Sequence, residues 1–226
     1  STKERTFYHA PECSKLLAER HVDWDMVSGK ILHYGYILLM DELDALDEEY
    51  GTKLARLLHN AQQRGIKTSV DVVSEMGERF SKLVPPALKY TDYCIINEIE
   101  AGGATGLHLR KPDGQLDYEN IRIALSRLLE MGVSIWAIIH APEGAFGMDK
   151  MGEYTRVDSL VLLEGYIKGN VGAGDAFCAG VLYSAYRELP MEESRRLGVA
   201  AAVCSLRSED ATGGMVGAAE AIAEFE

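Results

Sequence analysis

Between residues 31 and 140 the apolar positions change period in a regular way. Ile31–Met40 (ILHYGYILLM) is a β-branched and aromatic run closed by Asp41-Glu42, and it reads as a strand. Leu54, Leu57, Leu58 and Ala61 then recur at i, i+3, i+4 and i+7, the stripe of an amphipathic helix that ends at Gly65. Ile66–Val73 returns to strand composition. Next comes a helix around Met76–Leu83, which Pro85-Pro86 is expected to break, because proline lacks the N–H and crowds the preceding turn. Asp92–Asn97 is a short, near-continuous apolar strand. Ile121, Ala124, Leu125 and Leu128 outline a further helix stopped by Gly132, and Val133–His140 is the next strand.

Strands alternating with helices predict an α/β fold: a Rossmann-like, mostly parallel sheet with helices on both faces. Near-continuous apolar strands are what burial on both sides demands. The stretch Glu143–Ile167 breaks the pattern with short segments and turn residues, as hairpins or an edge meander would. The chain closes on two helices, Ala176–Tyr186 and one whose stripe is Leu197, Ala200, Ala201 and Cys204. Residues 1–30 stand outside the alternation, although Arg5–Tyr8 has the composition of a strand.

Length and charge narrow the function classes. A chain of 226 residues with 47% apolar content can bury a sizeable core as one large domain or two small ones. Its 23 Lys+Arg against 35 Asp+Glu leave a net charge of −12, so nucleic acid is not an expected partner. A nucleotide remains open, provided a metal or a helix N-terminus supplies local positive charge. Apolar runs such as Ile37–Met40 and Ile135–Ile139 fall far short of the ~20 residues that span a bilayer, and STKERTFYHA lacks a secretory core, so no membrane partner is expected. Cys13, Cys94, Cys178 and Cys204 are scattered without a C-x-x-C pair; a reduced, cytoplasmic setting is the expectation.

The chemistry concentrates in Lys168-Gly-Asn-Val-Gly172-Ala173-Gly174-Asp175-Ala-Phe177. Two glycines around one small residue let the backbone turn sharply and present N–H groups to a ligand. A helix begins at once, so free amides and the positive end of its dipole converge where a phosphoryl group could sit. Asp175 stands beside them, placed to take a proton from an attacking hydroxyl. An acidic residue in a first helical turn also complements the dipole with no further role. Gly172-Ala173-Gly174 is followed by Phe177 where a dinucleotide fingerprint needs glycine, and no G-x-x-x-x-G-K-[ST] exists, so neither of those nucleotide folds is indicated. Asn97-Glu98-Ile99-Glu100 places two polar side chains three apart at a strand end; this is also the pattern of a helix capping box.

Taken whole, GAGDAFCAG at Gly172–Gly180 resembles the signature of the ribokinase/PfkB family of carbohydrate kinases. The resemblance implies that Asp175 is the catalytic base and that the Gly172, Ala173 and Gly174 amides form an anion hole for the γ-phosphate. It implies ATP and Mg²⁺ as cofactors, with Asn97 and Glu100 organising the metal and the phosphates as the family's N-x-x-E element. Gly144 would belong to a loop beside the nucleotide, and Val199, Ala202, Gly213 and Gly214 to the C-terminal elements enclosing adenine and phosphate. Small residues such as Ala200–Ala202 equally allow close helix packing.

A small-molecule sugar is the implied substrate, and relatives often pair as homodimers. Tyr34, Tyr36 and Asp71 are candidates for the sugar side, although each is also an ordinary strand-end residue. Gly169 and Val171 stand where many relatives carry an acidic residue and a threonine for a monovalent cation, so potassium is not carried over. The resemblance begins partway into the family fold. It assigns residues 1–30 to a remnant of a β lid, with Glu4–Glu12 as a lid strand, and residues 31–226 to the nucleotide-binding and catalytic domain. Strands without their partners would then leave apolar edges. A binding protein without turnover is the alternative.

Overall fold

The computed structural model describes residues 10, 12–74 and 77–223. The chain divides into two compact units, one comprising 10–139 and 148–154 and the other 140–147 and 155–223 of the described residues. The proposed lid strand falls on residues 1–9 and 11, outside the described residues. Residues 12–30 contain only short 3-10 turns, at Ser14–Leu16 and Glu19–His21.

In the larger unit the elements are β1 (Ile31–Ile37), α1 (Asp41–Asp44), β2 (Leu46–Asp47), β3 (Gly51–Thr52), α2 (Lys53–Gln63), β4 (Lys67–Val72), α3 (Glu78–Leu88), β5 (Tyr93–Asn97), α4 (Glu98–Thr105) and α5 (Tyr118–Glu130), and then the start of β6 (Trp136–Ala141). The strands run in the order β1-β4-β5-β6, with β2 and β3 forming a separate antiparallel pair. β1 and β4 are parallel with Ile31 opposite Lys67 and Tyr34 opposite Val70; β4 and β5 are parallel with Ser69 opposite Tyr93. The alternation read from the periods is therefore the observed one, and the sheet is mostly parallel. β1 is an edge strand among the described residues, and its Ile31 and Leu32 are only partly covered.

The anticipated stripes make the core. Leu54, Leu57, Leu58 and Ala61 of α2 and Ile121, Ala124, Leu125 and Leu128 of α5 are all buried, as are Ile95, Ile96, Ala137 and Ile138 of the strands. Thr52 caps α2 by accepting from Ala55 N, and Asp117 caps α5 by accepting from Asn120 N. Register between β4 and β5 is pinned by Asp92. Its buried carboxylate accepts from Thr68 N (2.9 Å), Gln62 Nε2 (3.0 Å) and Ser134 Oγ (2.7 Å).

The prolines depart from expectation. α3 runs through Pro85 and Pro86 to Leu88; its anticipated start at Met76 lies outside the described residues, and the described helix begins at Glu78. Each ring removes a bond to the carbonyl four residues back, at Ser81 and Lys82, and both residues are exposed, so water can serve those oxygens. Leu83, Val84, Ala87 and Leu88 are buried and hold the last turns in place.

The smaller unit holds the end of β6, most of β7 (Gly144–Asp149) and β8 (Tyr154–Asp158), in the order β6-β7-β8. This is the hairpin region anticipated over Glu143–Ile167. The apolar run after β8 forms no strand, and Val161 and Leu163 are exposed. Three helices complete the unit: α6 (Ala173–Tyr186), α7 (Met191–Leu206) and α8 (Ala218–Ala223). α6 and α7 pack together, and the α7 stripe Leu197, Ala200, Cys204 closes on Ala221 of α8 with Val216, Ala218 and Ile222 around it. α6 starts at Ala173 rather than Ala176: Ala176 N already donates to Gly172 O at 2.8 Å, so residues 173–175 are helical. No helix among the described residues is long and apolar enough to cross a membrane, and the four cysteines are free thiols, three of them buried.

Candidate active site

The signature loop becomes a helix N-terminus without a side-chain cap. Gly172 occupies the N-cap position in the left-handed region (φ +82°) and has no side chain to offer the helix. Any other residue would be strained there, and a Cβ would lie 2.6 Å from the Cβ of Ala211. The amides of Ala173, Gly174 and Asp175 occupy the first three helical positions, where no carbonyl of the helix can reach them. Gly172 is buried, Ala173 and Gly174 are half-buried, and Asp175 is exposed. The bend therefore reaches the surface, with Asp175 exposed.

Elements from the same unit surround this turn. Lys168 N donates to Leu206 O at 2.8 Å, which ties the approach loop to the end of α7. The turn after α7 is organised by Asp210, whose Oδ1 accepts from Thr212 N (2.9 Å) and Gly213 N (2.5 Å). These donors hold the Asp210 carboxyl below the usual carboxylate range. Gly214 O accepts from Arg207 Nε at 2.8 Å. Gly213 and Gly214 thus shape the loop whose Ala211 lies against Gly172. Gly144 opens β7 and lies so close to β8 that a Cβ would be 2.3 Å from Val157 O. In α7, Val199 is buried and Ala202 half-buried, while Ala200 is used for packing on α8.

His140 lies near the end of β6, just before the Gly144 turn. Its ring stacks on Phe177 with centroids 4.7 Å apart, and burial pushes its pKa down to about 4, so the imidazole is neutral. Its position beside the α6 turn comes from folding alone, and only the oddity of a histidine at that strand end hints at it in the sequence.

The second motif lies in the larger unit, at the β5–α4 junction, and there the capping-box reading is realised. Asn97 Oδ1 accepts from Ile99 N and Glu100 N, both at 2.9 Å, while Glu100 Oε2 accepts from Asn97 N at 3.0 Å. Ser74, after β4, completes the arrangement and has no sequence signature of its own. Its Oγ donates to Glu100 Oε1 at 2.7 Å and accepts from Asn97 Nδ2 at 3.1 Å. Nothing local marks such a serine, because its partners lie 23 and 26 residues away. Glu100 is 5% exposed, and this burial pushes its pKa up against the donors from Ser74 and Asn97. Beside it, Glu98 is paired with Arg110 at 2.7 Å.

A divalent cation fits this junction in one specific way. Asn97 Oδ1 already accepts two N–H groups, so Asn97 serves as cap and clamp. Glu100 is a desolvated carboxylate whose Oε1 accepts from Ser74 and whose Oε2 accepts from Asn97, and it gains from a nearby positive charge. Magnesium keeps several waters and is held through few carboxylates plus substrate phosphates, so Glu100 through water is the natural donor. Of the sugar-side candidates, Tyr34 is buried in the core, whereas Tyr36 and Asp71 are half-buried.

Residues 2–216 match the model of the pfkB family carbohydrate kinases. The chain belongs to this family. Solved structures repeat its fold at low identity. Phosphofructokinase-2 from Escherichia coli, in its tetrameric inhibited form, superposes with a TM-score of 0.65 at 21% identity, covering 89% of this chain and 58% of that one. The same enzyme in complex with potassium gives 0.60 at 22% identity, covering 78% and 52%. Ribokinase from Thermotoga maritima gives 0.64 at 18% identity, covering 92% and 61%. This pfkB-family chain thus spans between half and two thirds of the length of these structures. No curated protein matches it.

Proposed function

We infer that the protein transfers the γ-phosphoryl group of ATP to a hydroxyl of a sugar or sugar-like molecule. The observation behind this reading is the start of α6: a left-handed glycine cap, three amides outside the helix ladder, and a water-exposed Asp175 at the third position. The Asp175 carboxylate takes the hydroxyl proton as the hydroxyl oxygen bonds to phosphorus and the bond to the departing ADP oxygen breaks. The Gly172–Gly174 backbone and the next N–H stabilise the charge on the transferred group. Glu100, clamped by Ser74 and Asn97, would hold Mg²⁺ through water; the cation supplies neutralisation of phosphate charge. Val199, Ala202, Gly144, Gly213 and Gly214 line the proposed nucleotide side, and a homodimer is the proposed assembly.

Asp175→Asn keeps the size and position of the side chain and removes the base. Turnover is expected to fall about a thousand-fold while the dissociation constant for ATP stays within a factor of about two. Phosphoryl transfer to a panel of sugars and nucleosides, alongside calorimetric titration with ATP, measures both. Near-normal turnover in this variant removes Asp175 from the reaction. A second reading, nucleotide binding without transfer, is favoured by Gly169 and Val171 in the approach loop; phosphorylation of any acceptor in the panel excludes it.

A further inference from the structure

In the larger unit a cavity of about 560 Å³ opens at the starts of β1 and β4, where the loop ahead of β1 meets the end of α2. Lys30, Arg64 and Lys67 line it, each exposed and each from a different segment. Lys67 N donates to Lys30 O at 2.9 Å, which aligns the two strand starts. Arg64 stands at the C-cap of α2, donates from Nη1 to Asn60 O at 2.9 Å and lays its guanidinium 4.8 Å from the centre of the Trp24 ring. Lys67 Nζ lies 3.6 Å from Asp92 Oδ1, but that carboxylate is buried and already accepts from Thr68, Gln62 and Ser134. Among the described residues that line the cavity, Asp25 is the one carboxylate.

This concentration of positive charge runs against a chain whose net charge is −12. The carbonyl end of α2 complements Arg64, as helix C-termini do, but Lys30 and Lys67 belong to strand starts. Like charges gathered around one cavity repel, and an anion held among them offsets that repulsion. The cavity exceeds what a bare phosphate needs: it has the volume of a small-molecule site, and Trp24, Val27 and Ile66 give it an apolar wall. We propose that the cavity binds an organic phosphate, with the phosphate on Lys30, Arg64 and Lys67 and the organic body against Trp24 and Val27. The guanidinium suits a phosphate because its planar fork donates two parallel hydrogen bonds, and its contact with the indole holds that plane. The site stands at the opposite ends of the strands from Ser74 and Asn97, so it is separate from the proposed metal junction and independent of the reading of α6.

The test uses the whole ¹⁵N-labelled chain, with AMP, ribose 5-phosphate and adenosine as probes. The two tryptophans give two indole N–H signals, and Trp24→Phe identifies that of Trp24. Both phosphates should shift the Trp24 signal saturably, and adenosine, which lacks the phosphate, should bind about tenfold or more weakly than AMP. Raising potassium chloride should weaken both phosphates. Lys30→Gln combined with Arg64→Gln should weaken AMP about tenfold or more. Both side chains are exposed, and the melting temperature checks that the fold is kept. A Trp24 signal that neither phosphate moves overturns the proposal in the unsubstituted chain, with no variant needed. So does adenosine binding as tightly as AMP, affinity that ignores salt, or AMP affinity unchanged in the double variant. Each of these outcomes leaves phosphoryl transfer at α6 untouched, and loss of transfer in Asp175→Asn leaves this site untouched.

Discussion

α4 and α6 both present a positive helix end with an acidic residue at the third position, yet they use it in opposite ways. At α4 the N-cap is Asn97. Its oxygen takes two amides and the buried Glu100 reaches back to a third, so the end is closed by the protein itself. At α6 the N-cap is Gly172, which has no side chain, and Asp175 is exposed to water. The dipole and the loose amides are the same in both helices. What differs is whether a side chain caps them. The N-x-x-E motif closes its helix end with its own side chains, whereas G-A-G-D has no side-chain cap.

The contrast can be broken most severely at the open end. Gly172→Val puts a β-branched side chain at φ +82° and into Ala211, and should cost about 3 kcal/mol from left-handed strain and overpacking. Urea denaturation measures it; a loss under about 1 kcal/mol would mean that the turn relaxes into another conformation.

Acid should separate the two regions next. The His140 pKa in the folded chain, about 4, lies below the ordinary imidazole value. The unfolded chain therefore takes the proton first, and the stability contributed is complete above pH ~6.5 and lost as pH falls toward 4. The upper bound is about 3 kcal/mol, lessened because the residue keeps partial exposure. At Asp92 burial raises the pKa, but hydrogen bonds from Gln62, Ser134 and Thr68 outweigh it and hold the carboxyl below its usual range. Its contribution persists above pH ~4 and disappears only as pH drops through the lowered value. Hydrogen exchange should thus show the end of β6 and α6 loosening first, with the β4–β5 region loosening at lower pH. Simultaneous loosening contradicts the assignment.

The closed end gives the smallest effect. Asn97→Ala removes the cap of α4 and should cost about 1 kcal/mol in thermal or urea unfolding, with Asn97→Asp recovering part of it. An unchanged midpoint in the alanine variant would show that Ser74 and Glu100 hold the helix end without it.

Much of the architecture was legible in the chain. The stripes of α2 and α5, the apolar strands between them and the hairpins after His140 come from periods and turn residues, which report which faces must leave water. Both candidate ligand-facing motifs were also legible, because each is continuous and depends on neighbours one to three residues away. Pro85 and Pro86 misled because the rule for proline weighs only the backbone, while four buried side chains in the same turns pull the other way. Ser74 escaped because its two partners meet it only after β4 and β5 are side by side.

By itself, then, the amino-acid order determined the alternating fold, the family, the capping box at Asn97 and the presence of a carboxylate beside a glycine turn, all consequences of local stereochemistry and of solvent exclusion along one strand or helix. Only the tertiary structure decided that Glu100 is buried and clamped while Asp175 is exposed, that Ala200 packs on α8, and that an imidazole from β6 lies against α6. Those outcomes depend on which distant surfaces come into contact, and contact sets the burial and hydrogen bonding that a side chain cannot choose alone.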